Sequence, residues 1–153
     1  MKKAVLVSIV AGLFFLGCGN IRDDDGIVYV RENLFITQIT GIRLNHNDFI
    51  GRTIRLEGMF NFFEWEGNQF YFVIRNTPGC CGDDGEIGFE LSWNPYHQSS
   101  DDGFAGRTIP NRNDWVEVLG VLQTYENFGH TFLYLALTEL NVLDTRGAEF
   151  VRR

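Results

Sequence analysis

"GRTIRLEGMFNFFEWEGNQFYFVIRN", residues 51–76, decides the fold. Ile54, Leu56 and Met59 fall at alternating or near-alternating positions, the period of a β-strand rather than a helix. Gly58 interrupts the run, which predicts a bulge or a coiled strand at that point. Glu66-Gly67-Asn68 has the composition of a tight turn, so 53–64 and 69–75 are expected to pair as a hairpin.

The same pattern continues along the chain. "EIGFELSW" at 86–93 reads as a third strand, followed by a long polar loop over 94–113 rich in Gly, Pro and Ser. "DWVEVLGVLQTYE" at 114–126 alternates Val116 and Val118 against Trp115 and Glu117. "NFG" is a turn, and the strongly apolar "HTFLYLALTELNVLD" at 130–144 is the last strand. Residues 51–60 and 113–122 echo each other: a polar start, an alternating strand, a glycine (Gly58, Gly120), then more strand. A strand that wraps a small barrel must bend sharply, and glycine allows the bend without a side-chain clash. Upstream, Ile27, Tyr29 and Val30 suit a short strand, while Phe35, Ile36, Ile39 and Ile42 recur at helical spacing. The expectation is a mainly β chain: one small OB-like Greek-key barrel with one short N-terminal helix, over 27–153. An open sandwich is the alternative.

The first residues have a different character. Lys2 and Lys3 precede an apolar run from Ala4 to Leu16, too short to span a bilayer comfortably and flanked like a signal peptide. The run has no polar face, which argues against an amphipathic helix at a domain edge. It ends in Phe15-Leu16-Gly17-Cys18, which resembles the lipobox of bacterial lipoproteins. That resemblance implies a leader over 1–17 and lipidation of Cys18. Residues 18–26 would then tether the domain to the outer membrane or the outer leaflet of the cytoplasmic membrane. Asp23-Asp24-Asp25 is then a solvated linker; a calcium loop would want spaced ligands.

Composition bounds the rest. The formal charge is −7; without Lys2 and Lys3, eleven basic residues face twenty acids, a net −9. Such a surface repels phosphate backbones, so no nucleic-acid partner is expected. Lipidation of Cys18 leaves only Cys80 and Cys81, so the domain has no disulfide framework and must rely on its core.

Those two thiols lie in "TPGCCGDDGE", residues 77–86. Adjacent Cα atoms are about 3.8 Å apart, and an unstrained disulfide wants roughly 4.4–6.8 Å, so a Cys80–Cys81 bond would be strained and easily reduced. Thiolates suit zinc or copper(I), and zinc wants about four ligands. Gly79 and Gly82 make a loop credible, and Asp83, Asp84, Glu86, His97 and His130 are candidates to complete a site with Cys80 and Cys81. The competing reading is a structural turn in which one cysteine packs as a small hydrophobe. His46 suits a solvated turn, His97 an exposed loop, and His130 the end of the barrel. Trp65, Trp93 and Trp115 suit either a platform for sugar or peptide, or core and barrel-end packing. No nucleophile–base arrangement, glycosidase acid pair or phosphate-cradling loop is evident, and no enzyme is expected.

The order "DFIGRTIRLEGMF", "NQFYFVIRNTPGCCGDDGEIGFEL", "DWVEVLGVL" resembles the extracytoplasmic C-terminal domain of the YcgQ-like permease-subunit family. The matching positions are Gly51, Ile54 and Gly58; Phe72, Arg75, Cys80, Cys81, Asp84 and Gly88; and Trp115, Val116, Val118 and Gly120. The resemblance covers roughly 48–143, and the double cysteine after an arginine-ended strand is its most specific part. Here a lipobox stands where that family has a multi-helix membrane domain, and extra glycines flank the cysteines. The resemblance implies an accessory role in the envelope, with a membrane permease or another envelope protein as partner, and no defined activity. The chain is thus expected to be a non-enzymatic accessory or binding protein, with a metal held by the Cys-Cys loop or without one, as an interaction module.

Overall fold

A computed structural model describes residues 26–78, 85–96 and 103–151. The chain is mainly β. β1 (Val28–Tyr29) leads into a single 3-10 turn and the helix α1 (Phe35–Leu44). Five long strands follow: β2 (Thr53–Trp65), β3 (Asn68–Thr77), β4 (Gly85–Ser92), β5 (Trp115–Asn127) and β6 (His130–Val142). They run in the order β2-β3-β4-β6-β5, and β5 returns to pair with β2. All neighbours are antiparallel except β4 and β6, which are parallel. This is the closed Greek-key barrel of the OB type, not an open sandwich.

The first of the echoing glycines explains the closure. The first half of β2, Thr53–Met59, pairs with β5, and the second half, Met59–Trp65, pairs with β3. Gly58 sits at that change of partner, and a Cβ there would lie 2.6 Å from the Ile74 carbonyl oxygen. Any side chain would push the two strands apart. Gly120 marks the register shift between β5 and β6. A third glycine, Gly88, is still more constrained: its Cβ would fall 1.8 Å from the Val73 carbonyl oxygen.

The barrel interior is filled by alternate residues such as Leu56, Phe60, Val73, Leu91, Val118 and Leu135, all buried. Phe35, Ile39 and Ile42 present one face of α1 to this core, the i, i+4, i+7 spacing that the sequence shows. Gln38, also buried on α1, is satisfied locally: its amide donates to Tyr29 O (2.9 Å) and accepts from Arg31 N (2.7 Å), fixing the chain from β1 into the helix. The loop between β4 and β5 is polar in sequence, yet Phe104 drops from it into the core, 2% exposed. Its ring stacks on Tyr71 with centroids 4.1 Å apart. After β6, the chain returns to β3: Val151 N donates to Asn76 O and Asn76 N to Glu149 O, and Val151 is buried.

Among the described residues no helix is long and apolar enough to cross a membrane.

Candidate ligand groove on the outer face

Strand alternation that points Tyr71 and Val73 into the barrel sets Phe70, Phe72 and Ile74 on the other face, where Ile74 is buried with Met59 and Trp115 and half-buried Phe72 packs against them. Phe63 lies across from Phe70 on β2 and stacks on both neighbours, 5.3 Å from Phe70 and 5.2 Å from Phe72, at 19° and 13° between ring planes. On the other side of Phe72, β4 presents Glu90 directly opposite, with Gly88 opposite Ile74 and Glu86 opposite Asn76. β6 brings Tyr134 beside Glu90. Two residues earlier, Phe132 stacks on Tyr125 of β5 at 5.3 Å and 18°. The result is a groove of about 480 Å³. Phe63 and Phe72 wall one side, Phe132 walls the other, and Gly88 and Glu90 contribute to its lining.

Glu90 is an acid held in place rather than a solvated one. It is 7% exposed, and Tyr125 donates its phenol hydrogen to Glu90 Oε2 at 2.9 Å. Burial, then the Glu90 charge and this hydrogen bond, push the Tyr125 phenol well above its usual range, so it stays a neutral donor. At the far edge of the groove, Arg112 is engaged: its guanidinium donates to Asn61 Oδ1 and Phe62 O and lies 4.3 Å over the Phe62 ring. Arg43, in the last turn of α1, also borders the groove.

The groove deepens because two of its strands part. β4 and β6 pair only through Glu90–Ser92 with Tyr134–Ala136. Before those positions, Gly85–Phe89 and His130–Leu133 have no register with each other. They remain paired on their other sides, to β3 and β5. Glu86 and Gly88 on one strand and Thr131, Phe132 and Leu133 on the other line the groove.

A second polar cluster is closed. Arg75 is 2% exposed. Its Nε donates to Glu57 O at 2.9 Å, and its Nη1 to Glu32 Oε2 and Ala148 O, both at 3.1 Å. Its guanidinium carbon lies 4.7 Å from the Phe35 ring and 4.8 Å from the Trp115 ring. Ala148 N donates to the same Glu32 oxygen at 2.8 Å. That amide, then Arg75, holds the Glu32 carboxyl below its usual range. Arg75 is therefore a structural clamp that binds both terminal segments to the barrel.

The candidate residues read from sequence separate into three groups. Cys18, Cys80, Cys81, Asp83, Asp84 and His97 lie outside the described residues. The pairing of β3 with β4 runs to Thr77 and Gly85. His130 is exposed as the first residue of β6, paired with Asn127 across the turn, and does not pack into the barrel end. Among the described residues no three His, Cys, Asp or Glu side chains converge to hold a metal ion. The tryptophans do not form a platform. Trp115 is core, Trp93 is half-buried beneath Arg107 (4.2 Å), and Trp65 stands 59% exposed at the β2–β3 turn. The aromatic surface is made instead by Phe63, Phe72 and Phe132. Its sequence signal is aromatics on both parities of "FNFFEW" and "FYF", more than one face of a strand needs for the core.

No family model and no curated protein matches the chain. Among solved structures, it is similar to the dimeric N-terminal domain of PriB protein from Thermoanaerobacter tencongensis, at 18% identity over 61% of this chain and 97% of that one, with a TM-score of 0.33. The barrel assignment stands on the strand order and the parallel β4–β6 pair.

Proposed function

We propose that the chain is a lipid-anchored lipoprotein of the cell envelope whose barrel is a non-enzymatic binding module working through the outer groove. The observation that carries this reading is the groove itself: exposed Phe63 and Phe132 and half-buried Phe72 on a sheet face around a buried, oriented carboxylate. Exposed aromatic surface costs solubility without aiding the fold, and a contiguous patch with a few placed polar groups is the usual mark of a recognition site. The Phe15–Cys18 lipobox supports the anchor, and the net −9 of the processed chain argues against a nucleic-acid partner. A membrane permease or another envelope protein is the partner class suggested by the YcgQ-like resemblance.

Two substitutions test the two halves. Cys18→Ala should release the protein from membranes and abolish lipid labelling; continued anchoring and cleavage would remove the lipoprotein reading. The pair Phe72→Ala and Phe132→Ala should abolish cross-linking to envelope partners while leaving the circular dichroism spectrum unchanged. Unchanged cross-linking would remove the groove.

A metal-dependent version is favoured by one further observation. Cys80, Cys81 and Asp84 fall in sequence between Thr77 and Gly85, which form the last pair of β3 with β4. Gly85 leads into Glu86, which lines the groove together with Thr131, the neighbour of His130. Purified, reduced protein should take up about one equivalent of zinc or copper(I), and the Cys80→Ser, Cys81→Ser double variant none. No uptake by the natural chain under anaerobic conditions would leave the metal-free interaction module.

A further inference from the structure

We infer that the groove takes an extended, basic peptide segment of a partner protein, which adds to the parted edges of β4 and β6 and is clamped by Phe128; this rests on the reading of the groove as the binding site.

Three independent features lead there. First, a strand that pairs on one side only presents alternate N–H and C=O groups on the other, and such an edge recruits an extended chain. Here two such edges face one space, Gly85–Phe89 of β4 and His130–Leu133 of β6. A sugar or a compact ligand would leave those groups unused. Second, Glu86 and Glu90 line this part of the groove, the Glu90 carboxylate held by Tyr125. Glu126 borders it through its hydrogen bond from Thr131 Oγ1 at 2.6 Å. Arg43 is the only groove-lining cation besides the engaged Arg112 among the described residues. Lysine or arginine side chains on an incoming strand complement that charge. A phosphate backbone, or a second copy of this acidic chain, does not.

The third feature is the turn that closes β5 onto β6. Asn127 pairs with His130, so only Phe128 and Gly129 make the turn, with φ of 48° and 74°. Both central positions therefore lie in the left-handed region, where Asn-Gly is the favoured pair and a bulky side chain is strained. Phe128 gains nothing in return from the fold, since its ring is 84% exposed. The equivalent turn of the other hairpin has Glu66 at φ 52°, a side chain that water solvates. A strained, exposed ring on the hairpin that walls the groove is accounted for by a partner that covers it.

The test uses the full chain in detergent micelles, with short alternating Lys–Val and Glu–Val peptides as probes. Binding is read by fluorescence anisotropy and by amide hydrogen exchange. The Lys–Val peptide should bind, the Glu–Val peptide should not, and binding should slow exchange of the gap-facing amides within Glu86–Phe89 and His130–Leu133. Phe128→Asn, which suits the turn better than the natural residue and so keeps the fold, should weaken binding by about tenfold or more. Equal affinity for Phe128→Asn, no binding of the Lys–Val peptide, or protection confined to other strands would overturn the inference. A neutral chito-oligosaccharide serves as the control. Phe72-dependent binding of the sugar without the peptide would overturn the inference and leave the groove standing, whereas indifference of both ligands to Phe72 and Phe132 would remove the groove as well.

Discussion

The barrel is closed at two places where sequence neighbours do not meet, and the two seams are built differently. Between β2 and β5 seven residue pairs are in register, from Thr53–Val121 to Met59–Trp115. Between β4 and β6 there are three. The first seam is reinforced: Gly58 lets β2 turn there, Trp115 at its end is core, and Arg75 stacks on that ring while binding the Glu57 carbonyl. The second seam opens into an aromatic groove with three carboxylates at or beside it. The contrast separates two uses of one topology: the sealed seam holds the barrel together, and the parted seam leaves backbone edges unpaired beside partly exposed aromatic rings.

Substitutions at the two seams should therefore differ in kind. The largest effect is expected at the sealed seam from Gly58→Ala. The atom it meets, Ile74 O at 2.6 Å, is backbone of the neighbouring strand and cannot rotate away. Overpacking of this kind should cost about 3 kcal/mol, read from urea unfolding at constant m. Next comes Arg75→Ala, which leaves the Glu57 and Ala148 carbonyls without their donor and removes the filling between Phe35 and Trp115. A loss of about 2 kcal/mol is expected, with the melting temperature lower by roughly 4–8 °C.

A smaller effect at the same seam depends on pH. The Glu32 carboxyl is depressed in the fold by the Ala148 amide and Arg75. A depressed carboxyl stabilises the fold above its unfolded value, near pH 4.5, and that contribution is lost as pH falls through the folded value. Glu32→Gln should flatten the acid limb of stability below that pH and cost under about 1 kcal/mol at neutral pH, because the side chain is half exposed to solvent. Equal acid limbs for the two proteins would show that Glu32 does not hold the terminal segments. The smallest changes are expected at the parted seam. Phe132→Ala should alter stability by no more than about 0.5 kcal/mol, and Phe128→Asn should raise it by about the same amount by relieving the turn.

Much of this arrangement is readable in the chain. The strands inferred at 53–64 and 69–75 are Thr53–Trp65 and Asn68–Thr77, and that inferred at 114–126 is Trp115–Asn127. Alternation and turn composition are local properties, so they survive in the sequence. Gly58 and Gly120 were legible because a glycine inside an alternating run has few reasons to be there other than a bend. Long-range features were not. The parting of β4 from β6 depends on how a parallel pair meets across the barrel, which no local pattern encodes. Phe104 shares the polar 94–113 loop with Tyr96, which is exposed, so nothing local marks Phe104 for burial. Arg75 ends an apolar strand, and nothing local indicates that its partners are the Glu57 backbone, Glu32 and a carbonyl at Ala148. Gly58, Gly88, Arg75 and Trp115 all have structural tasks in closing the barrel.

The difference between the seams is most directly measured by residue-resolved amide hydrogen exchange on the full chain without ligand. The sealed seam, Thr53–Met59 with Trp115–Val121, should exchange only through global unfolding, while the alternate amides of Gly85–Phe89 and His130–Leu133 that face one another should exchange through far smaller openings. Equal protection of the two seams would mean that β4 and β6 are closed on each other in solution, and the groove would lose the edges on which its proposed role depends.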